Sequence, residues 1–204
     1  MNLQYESAWQ LHQFFSARQI PYAVIGGIAV QRWGRPRFTI DVDITVLCEI
    51  GQEKELATML LKSFKARIPN ALQFSMKHRV LLLSLSEGCD VDISFGLPGF
   101  ESMVTSRVVD FDLGDGRKIK ICSPEDLIIY KAVASRTQDI MDIDGIIKRQ
   151  GQRLNIRYIR RWLKEFALLL ENPDIHQQFE KLWSKWKNHI VSRRTMKLGN
   201  NETT

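Results

Sequence analysis

Cysteine is scarce in this 204-residue chain: Cys48, Cys89 and Cys122 stand singly among apolar residues, with no CxxC spacing and no histidine nearby in sequence. Such a set reads as buried free thiols of a reducing compartment and gives little support to a cysteine nucleophile. Histidine is nearly as rare, and His12, His78, His176 and His189 show no metal-ligand spacing. They read as surface or packing residues. No apolar run approaches the roughly 18 residues of a membrane span. The opening segment MNLQYESAWQ lacks the basic and apolar regions of a secretory signal, so a cytoplasmic protein without a membrane partner is expected. Repeats and low-complexity tracts are also missing.

What is present is an ordinary globular composition, 44% hydrophobic and 25% charged. A chain this long buries roughly 70% of its unfolded surface and folds without staples. The net charge of +6 is unevenly spread. Residues 1–144 hold 16 Lys and Arg against 18 Asp and Glu, whereas residues 145–204 hold 13 against 5. A basic block after an acidic half suits a polyanionic substrate. Charge alone fits the solvated faces of surface helices equally well.

Periodicity predicts a helix over 4–17, a strand over 21–25 closed by Gly26-Gly27, a helix start at Ile28–Trp33 and a strand over 42–47. A helix over 53–66 follows, then β-like runs at Leu72–Met76, Val80–Leu85 and Val91–Phe95, and a short helix at 97–103. Segments 105–111 and 117–121 read as a strand pair joined at Gly114-Asp115-Gly116. From Ser123-Pro124-Glu125-Asp126, a good helix start, helices are expected over 124–134, 139–150, 155–171 and 174–191. The division is an α+β part (1–122), a basic helical part (123–195) and a polar, disordered tail (196–204). The stripe Trp162, Phe166, Leu169 and Leu170 reads as core. Trp183 and Trp186, flanking Lys185, read first as helix packing and second as a stacking surface for nucleic-acid bases.

The chemistry concentrates between Ile25 and Ile44. Asp41 and Asp43 lie two apart at a strand start, so both side chains point to one face, with Cα atoms roughly 6.5–7 Å apart. Converging carboxylates repel unless a cation lies between them, and Mg²⁺ prefers carboxylate, water and phosphate oxygens. Two such ions clamp the attacking and leaving oxygens of a phosphoryl displacement. Gly26 and Gly27, lacking Cβ atoms, let the backbone approach a polyphosphate at a helix start that favours anions. Either motif alone is weak; strand, GG, helix and then Asp-apolar-Asp-apolar on the next strand is much stronger. Asp90 and Asp92 in CDVDIS supply further carboxylates, and strand spacing does not choose between them. Lys131 falls mid-helix among Ile128, Ile129, Val133 and Ala134, an unusual place for an ammonium without a task.

Ile25-Gly26-Gly27, thirteen residues, then Asp41-Val42-Asp43-Ile44 resembles the signature of the DNA-polymerase-β-like nucleotidyltransferase superfamily. Arg37-Phe38-Thr39-Ile40 before the pair is similar to the form in bacterial AbiEii-type abortive-infection and toxin–antitoxin nucleotidyltransferases. Glu125-Asp126-Leu127, Lys131, Arg136, Asp139 and Asp142 resemble a second segment of that group, the likeness spanning residues 20–147. The resemblance implies an α+β fold with a nucleotidyltransferase-type mixed β-sheet flanked by helices, followed by a C-terminal helical bundle. It implies Mg²⁺ or Mn²⁺, two ions, with an NTP as substrate. Asp41, Asp43 and Asp92 would be the catalytic metal ligands, Val91-Asp92-Ile93 fitting the family form better than Asp90. Gly26, Gly27 and Lys131 would hold the triphosphate. Arg37 would neutralise phosphate or balance the resting carboxylates, Thr39 would support the loop, and Asp139, with Arg136 and Asp142, would orient the site or form a structural ion-pair set.

The expected activity is transfer of a nucleoside monophosphate to a hydroxyl, releasing pyrophosphate. The acceptor candidates are a tRNA 3′ end, a side chain of a partner toxin, and a small molecule such as an aminoglycoside. The resemblance also admits a cognate antitoxin or toxin as a protein partner. The competing classes are a non-catalytic nucleotide- or nucleic-acid-binding module and a plain DNA-binding regulator.

Overall fold

The computed structural model describes residues 2–85, 88–114 and 116–199, with the backbone alone for 191–199. Two compact units emerge: residues 1–32 with 36–123, and Trp33–Arg35 with the chain from Pro124 onward.

In the first unit, α1 (Leu3–Ala17) opens with Asn2 as N-cap, its side chain accepting from the Gln4 and Tyr5 amides, and buries Ala8, Leu11, Phe14 and Phe15. These positions share one helix face, and their burial carries the packing of α1. Strand β1 (Tyr22–Ile25) runs into α2 (Gly26–Trp33), and β2 (Asp41–Leu47) returns antiparallel to β1. Then come α3 (Glu53–Ser63), β3 (Lys65–Ala66), α4 (Ala71–His78), β4 (Val80–Leu85), β5 (Cys89–Gly96), α5 (Phe100–Ser106), β6 (Val109–Asp112) and β7 (Lys118–Ile121). The strands form one mixed sheet of order β3-β4-β5-β2-β1-β7-β6, with β2 parallel to β5 and β1 parallel to β7.

The central strands alternate over most of their length, Thr45 of β2 being buried on the second face as well. Val42, Ile44 and Val46 of β2 and Val91, Ile93 and Phe95 of β5 are buried on one face. Asp41 and Asp43, paired in register with Asp90 and Asp92, take the other.

The second unit is a bundle of α6 (Pro124–Ala134), α7 (Thr137–Gln150), α8 (Ile156–Leu169) and α9 (Asp174–Gly199), with a 3-10 turn at Gly151–Arg153. Helix α6 packs against the other three, and its Leu127, Ile128 and Ile129 are fully buried. The fold class is therefore α+β, a mixed sheet flanked by helices and followed by a helical bundle.

Several expectations need correction, among them the strand expected over 105–111, which starts only at Val109 because α5 runs to Ser106. Residues 72–76 form helix α4, not a strand: the alternation of Leu72, Phe74 and Met76 is incidental, and the buried positions are Ala71 and Ser75, one helical turn apart. The helix expected to 66 stops at Ser63, because Lys65–Ala66 pairs with β4. The stripe of α8 that is buried is Ile159 and Leu163, while Leu168, Leu169 and Leu170 are exposed. Of the predicted tail, 196–199 continue α9 and 200–204 lie outside the described residues. Among the described residues, no helix is long and apolar enough to cross a membrane.

Candidate active site

The site grows from one row of the sheet. Ile25 at the end of β1 pairs with Asp43, Asp43 with Asp92, and Asp92 with Leu82 of β4. Two residues further toward the strand start, Asp41 faces Asp90. Four carboxylates thus share one face of two parallel strands about 4.8 Å apart. Like charges at that spacing repel unless cations intervene.

The glycine turn abuts this array. Gly26 has φ +64°, the left-handed region where a side chain is strained, and a Cβ there would lie 1.8 Å from Asp43 Oδ2. At Gly27 a Cβ would lie 2.3 Å from Thr39 Oγ1. Both glycines are demanded by what packs on them. Thr39, expected to support the loop, is buried and donates to Asp41 Oδ1 at 2.8 Å. Arg37 donates from Nη1 to the Phe38 carbonyl at 3.2 Å. Phe38 and Ile40, alternating with Thr39, point outward, Phe38 being 81% exposed.

We expect Gly26→Ala to cost about 1–2 kcal/mol for the left-handed backbone alone, with Asp43 displaced in addition. Urea denaturation and Mn²⁺ binding check this. An unchanged midpoint together with wild-type Mn²⁺ affinity would contradict the packing described.

Sequence reading missed Arg67. It follows β3, and its amide donates to the Leu82 carbonyl at 3.0 Å, which puts it in line with Asp92 across the sheet. Its Nη1 lies 3.1 Å from Asp90 Oδ2 and its Nη2 2.8 Å from Asp92 Oδ1. At the second contact Asp92 Oδ1 is buried against the guanidinium without a well-aligned hydrogen bond. Burial raises the Asp92 carboxyl above the ordinary range. Arg67 opposes that, and the neighbouring Asp41 and Asp90 add to it. The signal for Arg67 lay in strand pairing between segments far apart in sequence, and no local pattern carries it.

Three observations bear on whether the residues fit a divalent cation. The donors are hard carboxylate oxygens, Asp92 Oδ1 is buried without a hydrogen-bond donor, and the missing Cβ of Gly26 keeps space beside Asp43. Against this, no three His, Cys, Asp or Glu among the described residues are gathered tightly enough to count as a metal cluster as the side chains stand, with Arg67 drawn to the outer pair. Donor type and shared face fit such an ion, which would have to take the place of Arg67 beside Asp92.

The helical-unit residues form a buried cluster within their own unit. Lys131 Nζ lies 2.8 Å from Asp139 Oδ1 and 3.0 Å from Asp142 Oδ2, the three side chains being 6%, 1% and 3% exposed. Arg136 donates to Asp139 Oδ2 from its backbone amide at 3.2 Å and from Nε at 2.6 Å, and Gln138 donates to Asp142. Burial pushes Asp139 up, but hydrogen bonds and charge from Arg136 and Lys131 outweigh it and hold the carboxyl below the usual range. Asp126 and Glu125 are also engaged, by Tyr158 Oη at 2.7 Å and by the Asn155 amide at 2.9 Å.

No protein-family model matches the sequence. A comparison with curated proteins likewise gives no match. Among solved structures, the chain is similar to an antigenic nucleotidyltransferase-like protein from Paracoccidioides brasiliensis, at 20% identity, with a TM-score of 0.49, over 87% of this chain and 92% of that one. It is similar to the lincosamide antibiotic adenylyltransferase LnuA, lincomycin-bound, at 15% identity and 0.49, over 72% and 98%. A third likeness is to the Thermotoga maritima CCA-adding enzyme complexed with tRNA, at 18% and 0.39, over 87% and 46%. At these levels the site must be judged by its own residues.

Proposed function

We propose that the chain is a metal-dependent nucleotidyltransferase that moves a nucleoside monophosphate from an NTP to a hydroxyl acceptor and releases pyrophosphate. The observation that carries this reading is the sheet row in which Asp43 stands beside Asp92 and against Gly26. Few structural needs bring carboxylates and a side-chain-free turn together on an otherwise buried sheet, whereas phosphoryl transfer needs both.

Asp41, Asp43 and Asp92 would hold Mg²⁺ or Mn²⁺, two ions in all, which when bound supply charge neutralisation at the α-phosphate. The chain does the positioning. Thr39 fixes the Asp41 carboxylate, and Gly26 and Gly27 bring backbone N–H groups of the α2 start to the triphosphate. Arg37 adds a guanidinium to the same anion. The acceptor oxygen bonds to the α-phosphorus as the bond to the pyrophosphate oxygen breaks. The acceptor's proton leaves as the new bond forms, and Asp92, beside Asp43 on the sheet, would help draw it off the acceptor oxygen. Lys131 is assigned to the triphosphate on resemblance, with Asp139 and Asp142 fixing its rotamer. Arg67 acts as the resting counter-ion of Asp92 and yields to the cation.

The basic block beyond residue 144 favours a nucleic-acid hydroxyl as acceptor, the tRNA 3′ end first. The AbiEii-type likeness of residues 20–147 extends this to a toxin restrained by an antitoxin. The test is incubation with total tRNA and each radiolabelled NTP, with Asp41→Ala/Asp43→Ala as control. Label in tRNA supports the acceptor assignment. Label in protein points to a nucleotidylated side chain, and label in small molecules to a third acceptor class. NTP binding that survives unchanged in the control, with no label anywhere, defeats the catalytic reading.

Arg67 gives a further expectation. Arg67→Gln should tighten Mn²⁺ binding, since the cation no longer displaces an internal one, and should destabilise the metal-free protein. Calorimetric titration and thermal melting measure the two effects. Unaltered Mn²⁺ affinity would exclude the counter-ion role.

A further inference from the structure

Within the helical unit, a cavity of about 270 Å³ opens between α7 and α9. Its walls are two i,i+4 pairs, Asp144 with Lys148 on α7 and Lys185 with His189 on α9, together with the Trp186 ring. None of these residues belongs to the carboxylate site or to the Lys131 cluster. Lys148 is ion-paired with Asp144 on its own helix, so the carboxylate steadies one cation and Lys185 adds an exposed second. Among the described residues, the walls carry one net positive charge with His189 neutral and two with it protonated.

Trp186 is held from two sides yet left half-exposed. Its ring stacks on buried Trp183 with centroids 4.8 Å apart and planes within 24°. Its edge rests on Gly151, where a Cβ would come within 2.8 Å of Cζ2. Gly151 also takes φ +56° as the C-cap of α7, so close approach and backbone conformation both select glycine there. An indole pre-positioned in this way and still open to a cavity makes a stacking platform at low entropic cost.

We propose that this cavity is a single-stranded nucleic-acid subsite, taking one unpaired base against Trp186 and a flanking phosphate between Lys148, Lys185 and His189. A planar, uncharged ring beside an anion is the chemistry its walls complement. The surplus of 13 basic over 5 acidic residues beyond position 144 supplies the longer-range attraction for a polyanion rather than for a lone nucleotide. The cavity would serve the acceptor of the reaction proposed above, but strand binding here is measurable without metal or catalysis.

The test is fluorescence anisotropy of the full chain with a labelled single-stranded RNA of mixed sequence, in EDTA, over a range of salt. Wild type should bind with a steep salt dependence. Trp186→Ala should weaken binding about tenfold, the scale of one lost stacked base, and Trp186→Phe should recover most of it. Lys185→Glu should weaken binding at least as much and flatten the salt slope, while Lys164→Glu on α8 should matter less. Near-ultraviolet circular dichroism establishes that each variant is folded. The proposal is overturned if folded Trp186→Ala and Lys185→Glu bind as wild type does. It is equally overturned if duplex RNA or an acidic peptide binds as well as the single strand through these residues, or if millimolar AMP displaces the strand. Metal- and NTP-dependent stabilisation, read separately, should be unchanged in Trp186→Ala. Its loss in wild type would count against the nucleotidyltransferase reading and leave the strand-binding result standing.

Discussion

On the proposed reading, nucleotide incorporation should fall by roughly 10³-fold or more in Asp41→Ala or Asp43→Ala, because each would remove a ligand whose cation would supply several kcal/mol of charge stabilisation. The loss should appear in kcat as well as in NTP affinity, since the charge being neutralised grows as the pyrophosphate oxygen departs. The folded state should tolerate the change. Asp41 and Asp43 lie at the partly exposed edge of β2, and removing one charge from a four-carboxylate face relieves repulsion there. Circular dichroism and a metal-free thermal melt separate the two effects. A variant that loses activity only by unfolding contradicts this account, as does one that keeps a tenth of the wild-type rate.

The second large effect concerns stability. Lys131→Met leaves Asp139 and Asp142 buried without their ammonium, and removing one partner of a buried ion pair costs roughly 3–5 kcal/mol. Combining Lys131→Met with Asp139→Asn and Asp142→Asn should recover much of that loss, because no uncompensated charge remains. Equilibrium urea unfolding measures both. If the triple variant regains stability but not NTP affinity, the ammonium has a task beyond holding the helices. If it regains both, the cluster is structural. A single variant as stable as wild type would refute the pairing. The pH dependence follows from Asp139. Its folded carboxyl sits below its unfolded value, so its stabilisation is present above the ordinary aspartate range near pH 4 and fades as pH drops through the lower folded value.

Much of the candidate site's geometry is legible in the sequence because it is local. Asp41 and Asp43 share a face by strand period alone, and Gly26-Gly27 marks a turn that side chains would block. The helical half was legible from Pro124 onward because caps and 3.6-residue periodicity repeat there. Arg67 was hidden because its meaning depends on β3 pairing with β4 and β4 with β5, a relation spread over residues 65–96. The choice between Asp90 and Asp92 was open for a similar reason. Both face the same way, and only cross-strand register sets Asp92 beside Asp43 while Asp90 meets Asp41. Helix α4 was misread because three apolar residues at period two imitate a strand when the buried positions, Ala71 and Ser75, are small or polar. The apolar end of α8 was taken for core because helical spacing shows that residues share a face without showing what covers it.

Electron paramagnetic resonance of Mn²⁺, titrated into the wild-type chain with a non-hydrolysable NTP analogue, tests the metal site most directly. Saturable binding that disappears in Asp43→Ala and in Asp92→Asn is the predicted result. Equal Mn²⁺ binding by all three proteins, or none by wild type, would contradict a cation site built on β2 and β5.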